Sequence, residues 1–85
     1  MIYLAITPAG LADALNAATS ADTVWCGSEA VSEAEYQLMQ NKPSRFVYSF
    51  TDGDAADDLE GAMYTIMQHH PGHRVWIEAV PAISA

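Results

Sequence analysis

The chain opens on a continuous apolar run, residues 2–6, which is the pattern of a strand covered on both faces. Thr7-Pro8 then supplies an N-cap and a first-turn proline. Leu11, Ala14, Leu15 and Ala18 recur at i, i+3, i+4 and i+7, so a helix is predicted to start there and to stop near Thr19-Ser20. Thr23-Val24-Trp25-Cys26 is rich in β-formers and closes on Gly27-Ser28, a short strand and its exit. Ser32 with Glu35 three residues on forms a capping box, predicting a short helix over 32–40 that Asn41-Lys42-Pro43 terminates.

Residues 45–50 make the clearest β-type run, and Thr51-Asp52-Gly53-Asp54 carries turn and N-cap chemistry. A long helix follows, with Leu59, Ala62, Met63, Ile66 and Met67 on one stripe and Asp57, Asp58 and Glu60 in its first turns. Burying Leu59, Met63, Ile66 and Met67 contributes roughly 6–12 kcal/mol at most against about 1–2 kcal/mol from the helix dipole, so packing sets its position. Pro71-Gly72 ends the helix, and residues 74–80 alternate as a last strand before Pro81.

The order is β-α-β-α-β-α-β, an α/β pattern. If the 32–40 helix is a crossover, right-handed connections give a four-stranded, mostly parallel sheet, ordered 2-1-3-4, with helices on both faces. If that helix only decorates a loop between antiparallel strands, the chain is a ferredoxin-like βαββαβ unit with a short extra helix. Tyr3, Trp25, Tyr48 and Trp76 fall where they share one sheet face, with Phe46 and Phe50 in phase with Tyr48. So large an aromatic surface calls for a covering helix and favours the parallel arrangement.

Length and charge narrow the function classes. The 85 residues, 51% of them hydrophobic, are expected to form a single domain over 1–85. No run reaches the roughly 18–20 apolar residues of a membrane span, and the N-terminal segment lacks a basic lead, so a cytoplasmic protein is expected. A lone cysteine, Cys26, excludes an intramolecular disulfide and a multi-cysteine zinc site. Eleven Asp and Glu against Lys42, Arg45 and Arg74 give a net charge of −8, the wrong sign for binding nucleic acid directly and the right sign for a basic protein surface.

The candidate chemistry is sparse. His69, His70 and His73 straddle Pro71-Gly72, which breaks the i,i+4 spacing of a helical metal pair, while a helix C-terminus attracts histidines on its own account. Asp52, Asp54, Asp57 and Asp58 fail as a calcium loop. Counted from Asp52, the turn-glycine position is Asp57 and the bidentate-glutamate position is Met63. Cys26 at a strand exit has Glu29, Glu33 and Glu35 as its sequence neighbours, which oppose a thiolate. No glycine-rich phosphate loop follows any strand. No cofactor, metal or catalytic constellation is therefore expected.

Two readings remain. The first is a non-enzymatic interaction module, inhibitor- or adaptor-like, docking on a basic partner through Asp52, Asp54, Asp57, Asp58 and Glu60 of one helix with Glu29, Glu33 and Glu35 of the preceding one, the two helices sharing a face. The second is a small-molecule or catalytic site at the strand exits, built from Thr7, Cys26, Ser28 and Asp52. Self-assembly through a sheet edge or an aromatic surface is a further route to a partner.

Overall fold

The apolar run at the start of the chain becomes an inner strand of the sheet, bonded on both sides. In the computed structural model, which describes residues 1–51 and 55–79, the elements are β1 (Ile2–Ala5), α1 (Pro8–Ala17), β2 (Thr23–Cys26), α2 (Glu33–Leu38), β3 (Ser44–Arg45), α3 (Ala55–His69) and β4 (Val75–Ile77). All strand pairs are parallel, so α2 is a true crossover and the ferredoxin-like alternative does not apply.

The strand order corrects the expected 2-1-3-4. It is β3-β2-β1-β4: β2 and β1 remain neighbours, but β3 adds outside β2 and β4 pairs directly with β1. The cause is handedness. Two successive right-handed crossovers, through α1 and α2, carry the chain from β1 to β2 to β3 in one direction, and the long crossover through α3 returns it to the far side of β1. Helices α1 and α2 consequently lie on one face of the sheet and α3 on the other. A groove lies between Leu11, Ala12 and Leu15 of α1 and Glu35 and Met39 of the α2 segment.

Each face has its own core. Ile2, Leu4, Ile6, Trp25, Phe46 and Phe50 pack under Ala62 and Ile66 of α3, with Tyr48, Leu59 and Val75 at the margin. On the opposite face Ala5, Val24, Cys26 and Ala30 pack against Leu11 and Ala14 of α1, with Tyr3 and Val31 partly buried beside them. Alternation along β1 and β2 produces this division: Ile2 and Leu4 point one way, Tyr3 and Ala5 the other. The aromatic residues are therefore split. Trp25, Phe46, Tyr48 and Phe50 share the α3 face with ring centroids 5.2–5.7 Å apart, whereas Tyr3 and its register partner Trp76 lie on the α1 face.

The 45–50 run is the other departure. Only Ser44–Arg45 pairs as a strand, with Trp25 and Cys26 of β2. Its neighbour stops at Cys26, and Gly27 turns the chain away. A Cβ on Gly27 would sit 2.8 Å from the Phe50 ring. Past two further backbone bonds, from Phe46 N–H to the Cys26 carbonyl and from Ser28 N–H to the Tyr48 carbonyl, residues 46–50 bend so that Phe46 and Phe50 both reach the core under α3. Met67, assigned to the buried stripe of α3, is 56% exposed. Val80 of the expected last strand lies outside the described residues. Among the described residues no helix is long and apolar enough to cross a membrane.

Candidate functional site

Every strand of a parallel sheet leads into its next connection at one common edge, so the exits of β1, β2, β3 and β4 all lie at the carboxyl edge of this sheet. The chain departs from β1 toward β2, while β4 lies on β1's other side. The crevice between the ends of β1 and β4 is thus the point where ligands gather in doubly wound sheets.

Here the protein fills that crevice itself. Glu78, just past β4, accepts the Ile6 N–H at 2.6 Å and the Thr7 N–H at 2.8 Å on one carboxylate oxygen, and the Thr7 hydroxyl at 2.5 Å on the other. Thr7 also caps α1, its Oγ1 accepting from Gly10 N–H at 3.1 Å. Gly10 is required by this arrangement, because a Cβ there would overlap the Glu78 carboxyl group. Desolvation alone would push the Glu78 carboxyl upward, but the hydrogen bonds from Thr7 and Ile6 outweigh it and hold the group below the ordinary glutamate range. An internal carboxylate therefore occupies the helix N-terminus that would otherwise attract an anionic ligand.

The remaining strand-exit residues are also committed to structure. Cys26 is fully buried, and desolvation pushes its thiol up to about 11 despite the opposing charge of Arg45. Besides the glutamates that neighbour Cys26 in sequence, the sheet brings Arg45 to it as its register partner across β2 and β3. Its guanidinium, however, donates to the Val31 carbonyl at 2.9 Å and the Ser28 carbonyl at 3.3 Å, stapling the β2 exit. Ser28 in turn donates its N–H to the Tyr48 carbonyl at 3.0 Å. The four residues proposed as a ligand site do not assemble into one: Thr7 faces Glu78, Cys26 is inside the α1-side core, Ser28 is held by Arg45, and Asp52 lies outside the described residues. We expect Cys26 to react with a disulfide-exchange reagent at least about 100-fold more slowly in the folded protein than after denaturation. Equal rates in the two states would show that the thiol is open.

Glu29, Glu33, Glu35, Asp57 and Glu60 are exposed and follow the strand exits, whereas Asp22 lies at the amino edge and Asp13 within α1. Glu29 accepts the Thr51 hydroxyl at 2.6 Å, which joins the β2 exit to the segment preceding α3. That bond, with the nearby Ser49 hydroxyl, holds the Glu29 carboxyl below its ordinary range. Ser32 caps α2, accepting from Glu35 N–H at 3.2 Å and donating its hydroxyl to the Glu35 carboxylate at 3.2 Å, a side-chain bond in place of the second backbone bond of the expected capping box. Glu33, Asp57 and Glu60 are exposed. Burial and the charge of Asp58 together push the Tyr48 phenol upward. Asp52 and Asp54 lie outside the described residues. Because α2 and α3 are on opposite faces, the expected single patch shared by two helix flanks is not formed. The acidic groups converge instead at the helices' N-terminal ends.

Cations are distributed the other way. Arg74 precedes β4, Lys42 precedes β3 beside Asp22 and Thr23, and the N-terminal ammonium pairs with Asp22 at 3.3 Å, all at the amino edge. His69 and His70 end α3 at that edge too. Their rings lie 5.7 and 6.0 Å from the Trp25 ring, and His70 and His73 are 5.9 Å apart. Among the described residues no group of three or more His, Cys, Asp and Glu side chains has metal-binding geometry. Compared with protein-family models, curated proteins and solved structures, the chain matches none of them.

Glu78 is the residue that sequence reasoning missed. Its signal is faint but physical: one acidic side chain inside an apolar run, and a glycine three residues after a threonine N-cap.

Proposed function

We propose that this protein is a non-enzymatic acidic interaction module that docks by the carboxyl edge of its sheet on a basic surface of a partner protein, in the manner of an inhibitor or adaptor. The observation that carries this reading is the segregation of charge along the strand direction. Glu29, Glu33, Glu35, Asp57, Asp58 and Glu60 surround the carboxyl edge, whose one described arginine, Arg45, is engaged with carbonyl groups. Lys42 and Arg74 stand at the opposite edge, where Asp22 pairs with the N-terminal ammonium. A surface of one sign steers a partner of the other and fixes its orientation. A buried cysteine suits the reducing cytoplasm, where we place the protein.

The site reading is weaker because its crevice holds Glu78 and its thiol is buried. The test is retention of basic proteins from a cell extract on the immobilised chain. Affinity for the retained partner is expected to fall at least about tenfold between roughly 50 mM and 0.5 M salt. Neutralising Glu29, Glu33, Asp57 and Asp58 to their amides should abolish retention at low salt. A partner held equally well by that variant removes the acidic edge from the interaction.

A further inference from the structure

Among the described residues β4 is bonded on one side only. Ile2 N–H donates to the Arg74 carbonyl and Glu78 N–H to the Leu4 carbonyl, each at 3.0 Å. With Ile2, Tyr3 and Leu4 in register with Val75, Trp76 and Ile77, a parallel ladder turns the backbone groups of Trp76 toward β1 and those of Val75 and Ile77 away from it. Val75–Ile77 contains no proline and no lysine to keep a second strand away, although the strand is only three residues long and Glu78 beside it turns a charge inward. Its side chains are apolar and open, with Trp76 55% and Ile77 39% exposed, and Trp76 walls a groove of about 280 Å3 floored by Tyr3 and Ala5 beside α1.

The residues Arg74-Val75-Trp76-Ile77-Glu78 are complementary to themselves about Trp76. Laid antiparallel against a second copy, Val75 meets Ile77, and these are the residues whose N–H and C=O point outward, so each exchanges both backbone bonds with the other. Trp76 meets Trp76 of the second copy at the closer, non-bonded position, on the face that bears the open groove. Arg74 meets Glu78. Antiparallel pairing also sets the acidic carboxyl edge of one copy beside the cationic amino edge of the other.

From this register we infer that two copies of the protein associate through β4, antiparallel and centred on Trp76, joining their four-stranded sheets into one continuous sheet. The pairing surface is distinct from the acidic edge assigned to a basic partner. Each copy carries a charge of −8, so added salt screens their net repulsion together with the local edge-to-edge attraction, and the pair survives salt that releases a basic partner.

Sedimentation equilibrium tests the inference. The expected mass is twice 9.2 kDa at high concentration, and hydrogen exchange at the Val75 and Ile77 amides should slow as the dimer forms. Ile77→Pro removes an outward N–H and no bond to β1, so it is expected to weaken association at least about tenfold while the circular dichroism of the monomer is retained. A 9.2 kDa species at every concentration overturns the inference. So does a dimer in which the Val75 and Ile77 amides exchange at the monomer's rate, a readout that needs no variant to fold.

Discussion

Glu78→Ala is expected to lower stability by about 2–4 kcal/mol, a large loss for a surface-edge substitution. The carboxylate satisfies the Ile6 and Thr7 N–H groups and the Thr7 hydroxyl, and Ile6 is buried. Truncation leaves these donors without their charged acceptor at the start of α1, where the helix dipole also favours a negative charge. Glu78→Gln keeps the size and some of the bonding and should cost about half as much. The pH dependence has a definite sign. The folded-state carboxyl lies below its ordinary range, so the folded protein binds the proton less readily than the unfolded chain. Its stabilisation is complete above the unfolded value of about 4.3 and fades as pH falls through the lower folded value. Urea denaturation between neutral and acid pH should therefore show a loss in the native protein that is smaller in Glu78→Gln. Parallel pH profiles for the two proteins would disprove the assignment.

Ile66→Ala should destabilise by about 3–4 kcal/mol, because Ile66 is wholly buried between α3 and the aromatic layer formed by Trp25, Phe46 and Phe50. Ala62, the other fully buried residue of this helix, is too small to hold α3 in place alone. Large rings collapse poorly into a vacated volume, so the cavity persists. Met67→Ala, one residue along the same helix, removes a side chain that is 56% exposed and should cost less than about 1 kcal/mol. The check is the denaturation midpoint at unchanged slope. A larger loss for Met67→Ala than for Ile66→Ala would place the wrong face of α3 against the sheet.

These two residues also mark where the sequence was legible. Ile66 belongs to a periodic pattern, and Thr7-Pro8 and Ser32 with Glu35 are caps formed within four residues; each such signal is complete in one stretch of chain and appears in the structure where expected. The 45–50 run shows the limit of local propensity. Its residues favour extended backbone, yet a strand needs a neighbour, and β2 ends beside Arg45. Strand order failed for the same reason: either order places an apolar β1 between two others, and nothing local says which strand takes its second side.

The candidate site was less legible still. Cys26, Ser28 and Thr7 were rightly placed at strand exits, but what occupies the crevice is a carboxylate more than 70 residues from the threonine it binds. The acidic residues were visible individually. Their gathering at one edge depends on parallel pairing, which places all the helix N-termini together, and on the Glu29–Thr51 bond across two connections.

Among the described residues, the sheet's inner strand β1 and one of its two neighbours, β4, are the elements farthest apart in the chain. The bonds from Ile6 and Thr7 to Glu78 close loops of 72 and 71 residues, nearly the length of the chain. During synthesis β1, α1 and β2 therefore emerge with one side of β1 bare and the α1 cap lacking its carboxylate, and neither is completed until β4 and Glu78 have been translated. Loop closure of this span makes β4 docking a late, slow event. Until then the nascent chain exposes the Ile2, Tyr3 and Leu4 edge, which makes the interval before β4 emerges a period when this protein is open to chaperones and to mispairing with its neighbours on the ribosome.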